Sequence, residues 1–217
     1  MIRAVIFDMD GVLIDSEPLW RIAEVEVLAS VGVPITYERT LETMGLRTDE
    51  VVEYWHQRYP WSDPPKKQVE AGIDRRVLEL IQERGKPARG ALAAIERCAA
   101  AGFPLAIASS SASELIAAVV DTLGVRDRFA VLQSAEHEPY GKPHPAVYIE
   151  AARALGIPPD QCLAIEDSPN GLLAAKAARM RCIVVPDPAL RHDRRYCIAD
   201  AVLDSLEDLS LDLIRSL

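Results

Sequence analysis

Apolar and polar positions change their spacing several times along the chain. Residues 3–7 contain an unbroken apolar run, Ala4-Val5-Ile6-Phe7, which predicts a strand buried on both faces of a parallel sheet. Polar residues take over at once in Asp8-Met9-Asp10-Gly11. Asp15 or Ser16 can then cap a helix with Pro18 in its first turn, and Trp20, Ala23, Val27 and Val31 follow at helical spacing until Gly32 closes it. A short helix is expected after Thr36. Another starts at Thr48, carries Val51, Val52, Trp55 and Tyr59 on one face, and is broken by Pro60, Pro64 and Pro65. The stripe Val69, Ile73, Val77, Leu80 and Ile81 marks a helix over about 66–85. No stretch between 15 and 84 has the pattern of a strand.

Beyond Gly90 the pattern alternates. Helices are predicted over 91–101, 113–123, 145–155 and 172–178, and strands over 103–108, 130–132, 162–165, 182–185 and 201–203. Such alternation implies a doubly wound parallel α/β sheet with right-handed crossovers. Residues 1–14 and 85–217 then make the α/β core, and residues 15–84 an α-helical cap inserted after the first strand. A cap joined by two chain segments can hinge over the carboxyl edge of the sheet.

Composition narrows the possibilities. With 217 residues, 49% of them apolar, the chain can build a full core. A net charge of −9 argues against a nucleic-acid groove and an anionic membrane surface. A small anionic substrate stays possible, because one local cation can reverse the field in a cleft. Cys98, Cys162, Cys182 and Cys197 have neither disulfide-framework nor zinc spacing, which fits free thiols in a reducing compartment. No apolar run is long enough to span a bilayer, and Met1-Ile2-Arg3 leads straight into the first strand. A cytoplasmic monomer is expected.

Candidate chemistry gathers at the strand ends, where open α/β sheets bind ligands. Asp8 and Asp10 follow the first strand, Ser109 the second, and Glu166 and Asp167 the fourth, while Lys142 lies in a loop just before a helix. Each has a plainer reading. Asp-x-Asp-Gly is also turn chemistry, Ser109 a helix cap, Lys142 a solvated loop charge, and Glu166-Asp167 a favourable pair at a helix start. A calcium loop counted from Asp8 fails, since it wants Gly at Leu13 and Glu at Leu19. Falling together on one sheet edge, these groups point to phosphoryl transfer: carboxylates for Mg²⁺, a hydroxyl and a lysine for phosphate oxygens, and a carboxylate nucleophile.

Asp8-Met9-Asp10-Gly11-Val12, Ser109, Lys142-Pro143 and Glu166-Asp167 resemble, in order and spacing, the four motifs of the haloacid dehalogenase superfamily of phosphohydrolases, whose core is Rossmann-like. The helical insert resembles that superfamily's small cap. The resemblance implies a Mg²⁺-dependent phosphatase with Asp8 as nucleophile, Asp10 as acid–base, and Ser109, the backbone N–H of Ser110 and Lys142 as phosphate ligands. Mg²⁺ falls to Asp8, the backbone carbonyl of Asp10 and Asp167, with Glu166 orienting them or joining them. Small sugar or polyol phosphates, of the hexitol phosphate or 2-deoxyglucose 6-phosphate type, are the implied substrates. Gly45, Arg47 and Glu17 are the cap residues expected to meet them. β-Phosphoglucomutases are near relatives, but a cap histidine that supports their acid–base residue is Trp20 here, which favours hydrolysis. A receiver-like phosphate-responsive module is a further alternative; it would lack the cap. Trp20, Trp55 and Trp61 are expected in the cap core, and no histidine has metal spacing.

Overall fold

The structure, a computed structural model, describes residues 1–217, the side chain of Ala189 excepted. Six parallel strands form one sheet in the order β3-β2-β1-β4-β5-β6. They are β1 (Ala4–Phe7), β2 (Leu105–Ser109), β3 (Val131–Ser134), β4 (Cys162–Glu166), β5 (Arg181–Val184) and β6 (Ala201–Val202). β1 lies in the middle, with Phe7 opposite Ile107 of β2 and Ile165 of β4. Every residue of β1 is buried, as expected of a strand covered on both faces. Val5 and Phe7 join one core, Ala4 and Ile6 the other, which is the two-residue alternation of a strand. Helices α4 (Ala91–Ala100), α5 (Ser113–Thr122), α6 (Ala146–Leu155) and α7 (Pro169–Ala177) cross over between strands, and α8 (Leu211–Ser216) ends the chain. The strand order reverses between β1 and β4, so a crevice opens at their carboxyl ends.

Three helices stand between β1 and α4 and form the insert: α1 (Glu17–Ser30), α2 (Thr48–Arg58) and α3 (Lys66–Arg84). The helix expected after Thr36 is instead a 3₁₀ segment, Arg39–Thr43, pinned by Thr40 and Thr43 hydroxyls that donate to the carbonyls three residues back. Trp55 is fully buried at the centre of this insert. Removing roughly 150–250 Å² of apolar surface at about 25 cal/mol/Å² stabilises by roughly 4–6 kcal/mol. Its Nε1 has no hydrogen-bond partner, a cost of about 1–3 kcal/mol that the burial outweighs. The two connecting segments run side by side: Asp15 N–H donates to Lys86 O at 3.0 Å and Ala88 N–H to Leu13 O at 3.0 Å. No helix among the described residues is long and apolar enough to cross a membrane.

Candidate active site

β1 delivers Asp8 to the mouth of the crevice, and the Asp8 N–H donates to Ile165 O of β4 at 2.8 Å. Three residues on, Gly11 has φ +73°, and a Cβ there would lie 2.1 Å from Asp167 Oδ2. Only glycine lets this turn press against the end of β4. The other side of β4 is equally tight, because a Cβ at Gly171 would fall 2.0 Å from the Glu166 carboxylate. α7 is capped by Ser168, whose hydroxyl accepts from Gly171 N–H at 3.0 Å.

Lys142 reaches into this crevice with 3% of its surface exposed. Its ammonium donates to Asp8 Oδ1 at 2.6 Å, Glu166 Oε1 at 2.7 Å and Ala108 O at 2.9 Å. Glu166 is occupied on both oxygens: Tyr148 and Lys142 donate to Oε1, and the Asp167 N–H and Ser168 hydroxyl to Oε2. Asp8 Oδ2 and both Asp167 carboxylate oxygens, by contrast, accept no hydrogen bond among the described residues. The buried Asp167 side chain thus has lone pairs and no donor.

Charge in the crevice does not balance. With all three carboxylates (Asp8, Glu166, Asp167) ionised, the single ammonium would leave two net negative charges out of water. Burial, followed by the field of Glu166, pushes the Asp8 carboxyl up to about 8 despite Lys142. Burial, with Glu17 and Asp8 adding to it, raises Asp167 well above the usual carboxylate range. Burial pulls the Lys142 ammonium down, but Asp8 and Glu166 outweigh that and hold it above its ordinary value. Ligand oxygens of Asp8, Glu166 and Asp167 lie within 4.8 Å of one another. An all-oxygen set with a deficit of two positive charges and an unpartnered buried carboxylate fits a hard divalent cation such as Mg²⁺.

Asp10 points toward the cap. Its Oδ1 accepts from the Ser16 hydroxyl at 2.6 Å and Trp20 Nε1 at 2.8 Å, and its Oδ2 from the Ser111 hydroxyl at 2.7 Å. Two of these donors were not legible as such. Ser16 occupies the N-cap position of α1 but makes no capping bond, because its hydroxyl is turned to Asp10. Trp20, expected as cap core, does pack against that core, yet its indole N–H is a polar arm into the site. A helix start following the acidic turn by six residues was the available signal.

Ser109, at the end of β2, accepts from Ser111 N–H at 3.1 Å, leaving its own proton free to be donated. The Ser110 hydroxyl is buried with no partner, and both serines line the cavity between core and cap. Asp8, Asp10, Lys142 and Asp167 border the same cavity. All three cap residues singled out from the sequence border it. Gly45 has φ +77° and approaches so closely that a Cβ would stand 3.2 Å from Ser168. Burial, with Asp10 next, lifts the Glu17 carboxyl to about 7. Arg47 forms a fork with Asp49 at 2.6 and 2.8 Å and crosses the cleft to the carbonyls of Ala135 and Glu138 at 2.9 and 2.7 Å. Glu50 adds a bond from Gly141 N–H at 3.3 Å. Arg47 therefore fastens cap to core as well as bordering the cavity.

Comparison with known proteins agrees with this arrangement. Residues 2–179 match the haloacid dehalogenase-like hydrolases. The chain is similar to hexitol phosphatase B of Escherichia coli K12, at 45% identity over 96% of this chain and 95% of that one. It superposes on CbbY from Rhodobacter sphaeroides in complex with phosphate with a TM-score of 0.89, at 31% identity over 99% of this chain and all of the other. β-Phosphoglucomutase from Clostridium difficile shares the fold, with a TM-score of 0.87 at 23% identity over 100% of this chain and 96% of the other. By its strand ends, its helical insert and these matches, the chain belongs to the haloacid dehalogenase-like hydrolases.

Proposed function

We propose that the protein is a Mg²⁺-dependent phosphatase of small sugar or polyol monophosphates that works through an aspartyl-phosphate on Asp8. The observation that carries this reading is Asp8 itself: one oxygen gripped by Lys142, the other without a hydrogen bond, at the edge of a cavity. The similarity to hexitol phosphatase B supports the substrate class.

Mg²⁺ held by Asp8, Asp167 and the Asp10 main-chain carbonyl would supply the positive charge that lets a dianionic phosphate approach a carboxylate. Glu166 keeps Lys142 and the Asp167 loop in register. The Ser109 hydroxyl, the Ser110 N–H and the Lys142 ammonium bind the phosphoryl oxygens, a role the unpartnered Ser110 hydroxyl can share. Asp8 displaces the sugar oxygen. Asp10 protonates that oxygen as it leaves and later takes a proton from the water that releases phosphate, help typically worth about 10²–10⁴-fold. Gly45 and Glu17 face the substrate's far end, and Arg47 holds the cap over it.

The test is phosphate release with Mg²⁺ across hexitol 6-phosphates, hexose 6-phosphates and 2-deoxyglucose 6-phosphate. Asp8→Asn is expected to fall to the background rate, and metal chelation to stop the wild type. Near-normal turnover by Asp8→Asn would refute the assignment.

A further inference from the structure

Helix α1 points more than Glu17 and Trp20 at the cavity. One turn further along the same side stands Glu24, with 7% of its surface exposed and bordering the cavity. A carboxyl this far from water ordinarily has strong donors around it. Glu24 has one weak one. The Thr43 hydroxyl lies 3.5 Å from Oε2, but its single proton is closer to Thr40 O at 3.2 Å. Oε1 accepts no hydrogen bond among the described residues. A leucine would suit the packing of a cap helix better, so the polar atom is retained at a structural cost.

The cations bordering the cavity are equally telling. They are Lys142, on the core side beside Asp8 where it serves the one phosphoryl group, and Arg47, on the cap side, which is committed elsewhere. Lys142 is held by Asp8, Glu166 and Ala108 O; Arg47 by Asp49 and two core carbonyls. Arg21, on the same helix as Glu24, does not border the cavity and lies 3.9 Å from Asp187. The cap half of the cavity thus presents acceptors and no free positive charge.

We infer that Glu24 is a specificity-determining residue, accepting hydrogen bonds from hydroxyls at the unphosphorylated end of the substrate, in a cavity that admits one phosphate and rejects a second. Ionised or protonated, the carboxyl offers a hydroxyl an acceptor, and in neither form does it offer a phosphate a counter-charge. The inference rests on the phosphatase reading above and extends it to the far end of the substrate.

The experiment compares wild type, Glu24→Gln and Glu24→Leu with Mg²⁺ on three probes: a hexitol 6-phosphate, the matching 1,6-bisphosphate and p-nitrophenyl phosphate. In wild type, kcat/KM for the monophosphate should exceed that for the bisphosphate by about 100-fold or more. Glu24→Leu should lower the kcat/KM ratio of hexitol 6-phosphate to p-nitrophenyl phosphate by about 10- to 100-fold, mainly through KM, without lowering Tm. Glu24→Gln, which keeps the size and one acceptor, should lower it about 3- to 10-fold and decides the matter if the leucine variant does not fold. An unchanged ratio, or equal wild-type turnover of mono- and bisphosphate, would overturn the inference while leaving the phosphatase reading intact. No wild-type release from any sugar or polyol phosphate would overturn both.

Discussion

Replacing Trp20 by Phe removes the indole N–H and trims one ring from a side chain only partly buried against the insert's core. The lost bond, 2.8 Å from indole Nε1 to Asp10 Oδ1, is a hydrogen bond to a carboxylate, a class worth about 1.5–3 kcal/mol. Asp10 keeps the Ser16 and Ser111 hydroxyls and is only half-buried, so the net loss should be smaller, about 1–2 kcal/mol, or roughly 5- to 30-fold in rate. The loss should depend on the leaving group. An alkoxide departing from a polyol phosphate needs a proton, which Asp10 gives in the mechanism proposed above, whereas p-nitrophenolate departs without it. The assay is kcat/KM with both esters, which isolates the step that expels the alcohol. The expected result is a roughly 5- to 30-fold fall for the polyol phosphate and a change of less than about twofold for the nitrophenyl ester. Equal losses on both esters would refute the positioning argument, and so would no loss on either.

Lys142→Met leaves Asp8 and Glu166 buried without their cation; breaking such a pair costs about 3–5 kcal/mol, so a Tm lower by roughly 6–20 °C is expected in a thermal melt. Gly11→Ala must move either the turn or Asp167, since the added carbon would overlap Oδ2; a Mg²⁺ titration of turnover should show half-saturation at a higher concentration, with the fold intact by circular dichroism. Burial, followed by the field of Glu17, raises the Glu24 carboxyl from 4.5 to about 8, so the folded state holds a proton there that the unfolded chain has lost. The unfolded state binding fewer protons makes stability fall as pH rises through that window, by on the order of 3 kcal/mol. Glu24→Gln should flatten the decline in Tm between pH 5 and 8; an unaltered slope would count against it.

Much of the catalytic edge was written in short-range pattern. The run from Ala4 to Phe7 could only be an interior strand, and the acids after it had to emerge at its carboxyl end. Gly11 belongs to the same local logic, because turns and strand ends are decided by neighbours in the chain. The helical insert was legible from its apolar spacing, except for the 3₁₀ segment at Arg39–Thr43, where threonine hydroxyls compete for backbone carbonyls. α8 is six residues long, too short for periodicity to declare. Ser16, Trp20 and Glu24 were not readable for a different reason. A serine at a helix start looks like a cap, a tryptophan on an apolar stripe looks like core, and a glutamate in mid-helix looks solvated. What gives each its role is the packing of α1 against a sheet edge, a fact of tertiary structure.

The fastening between insert and core has an evolutionary corollary. On the insert side it is made by side chains, Arg47 and Glu50; on the other side it ends on peptide groups at Ala135, Glu138 and Gly141. Peptide groups survive substitution. The exposed residues Glu136 and His137 between those carbonyls can therefore drift in sequence without unlocking the lid, while a lid that keeps its arginine carries its own key to any core whose backbone follows the same path. Diversification of what the enzyme accepts can then proceed by trading inserts, with the catalytic floor left as it is.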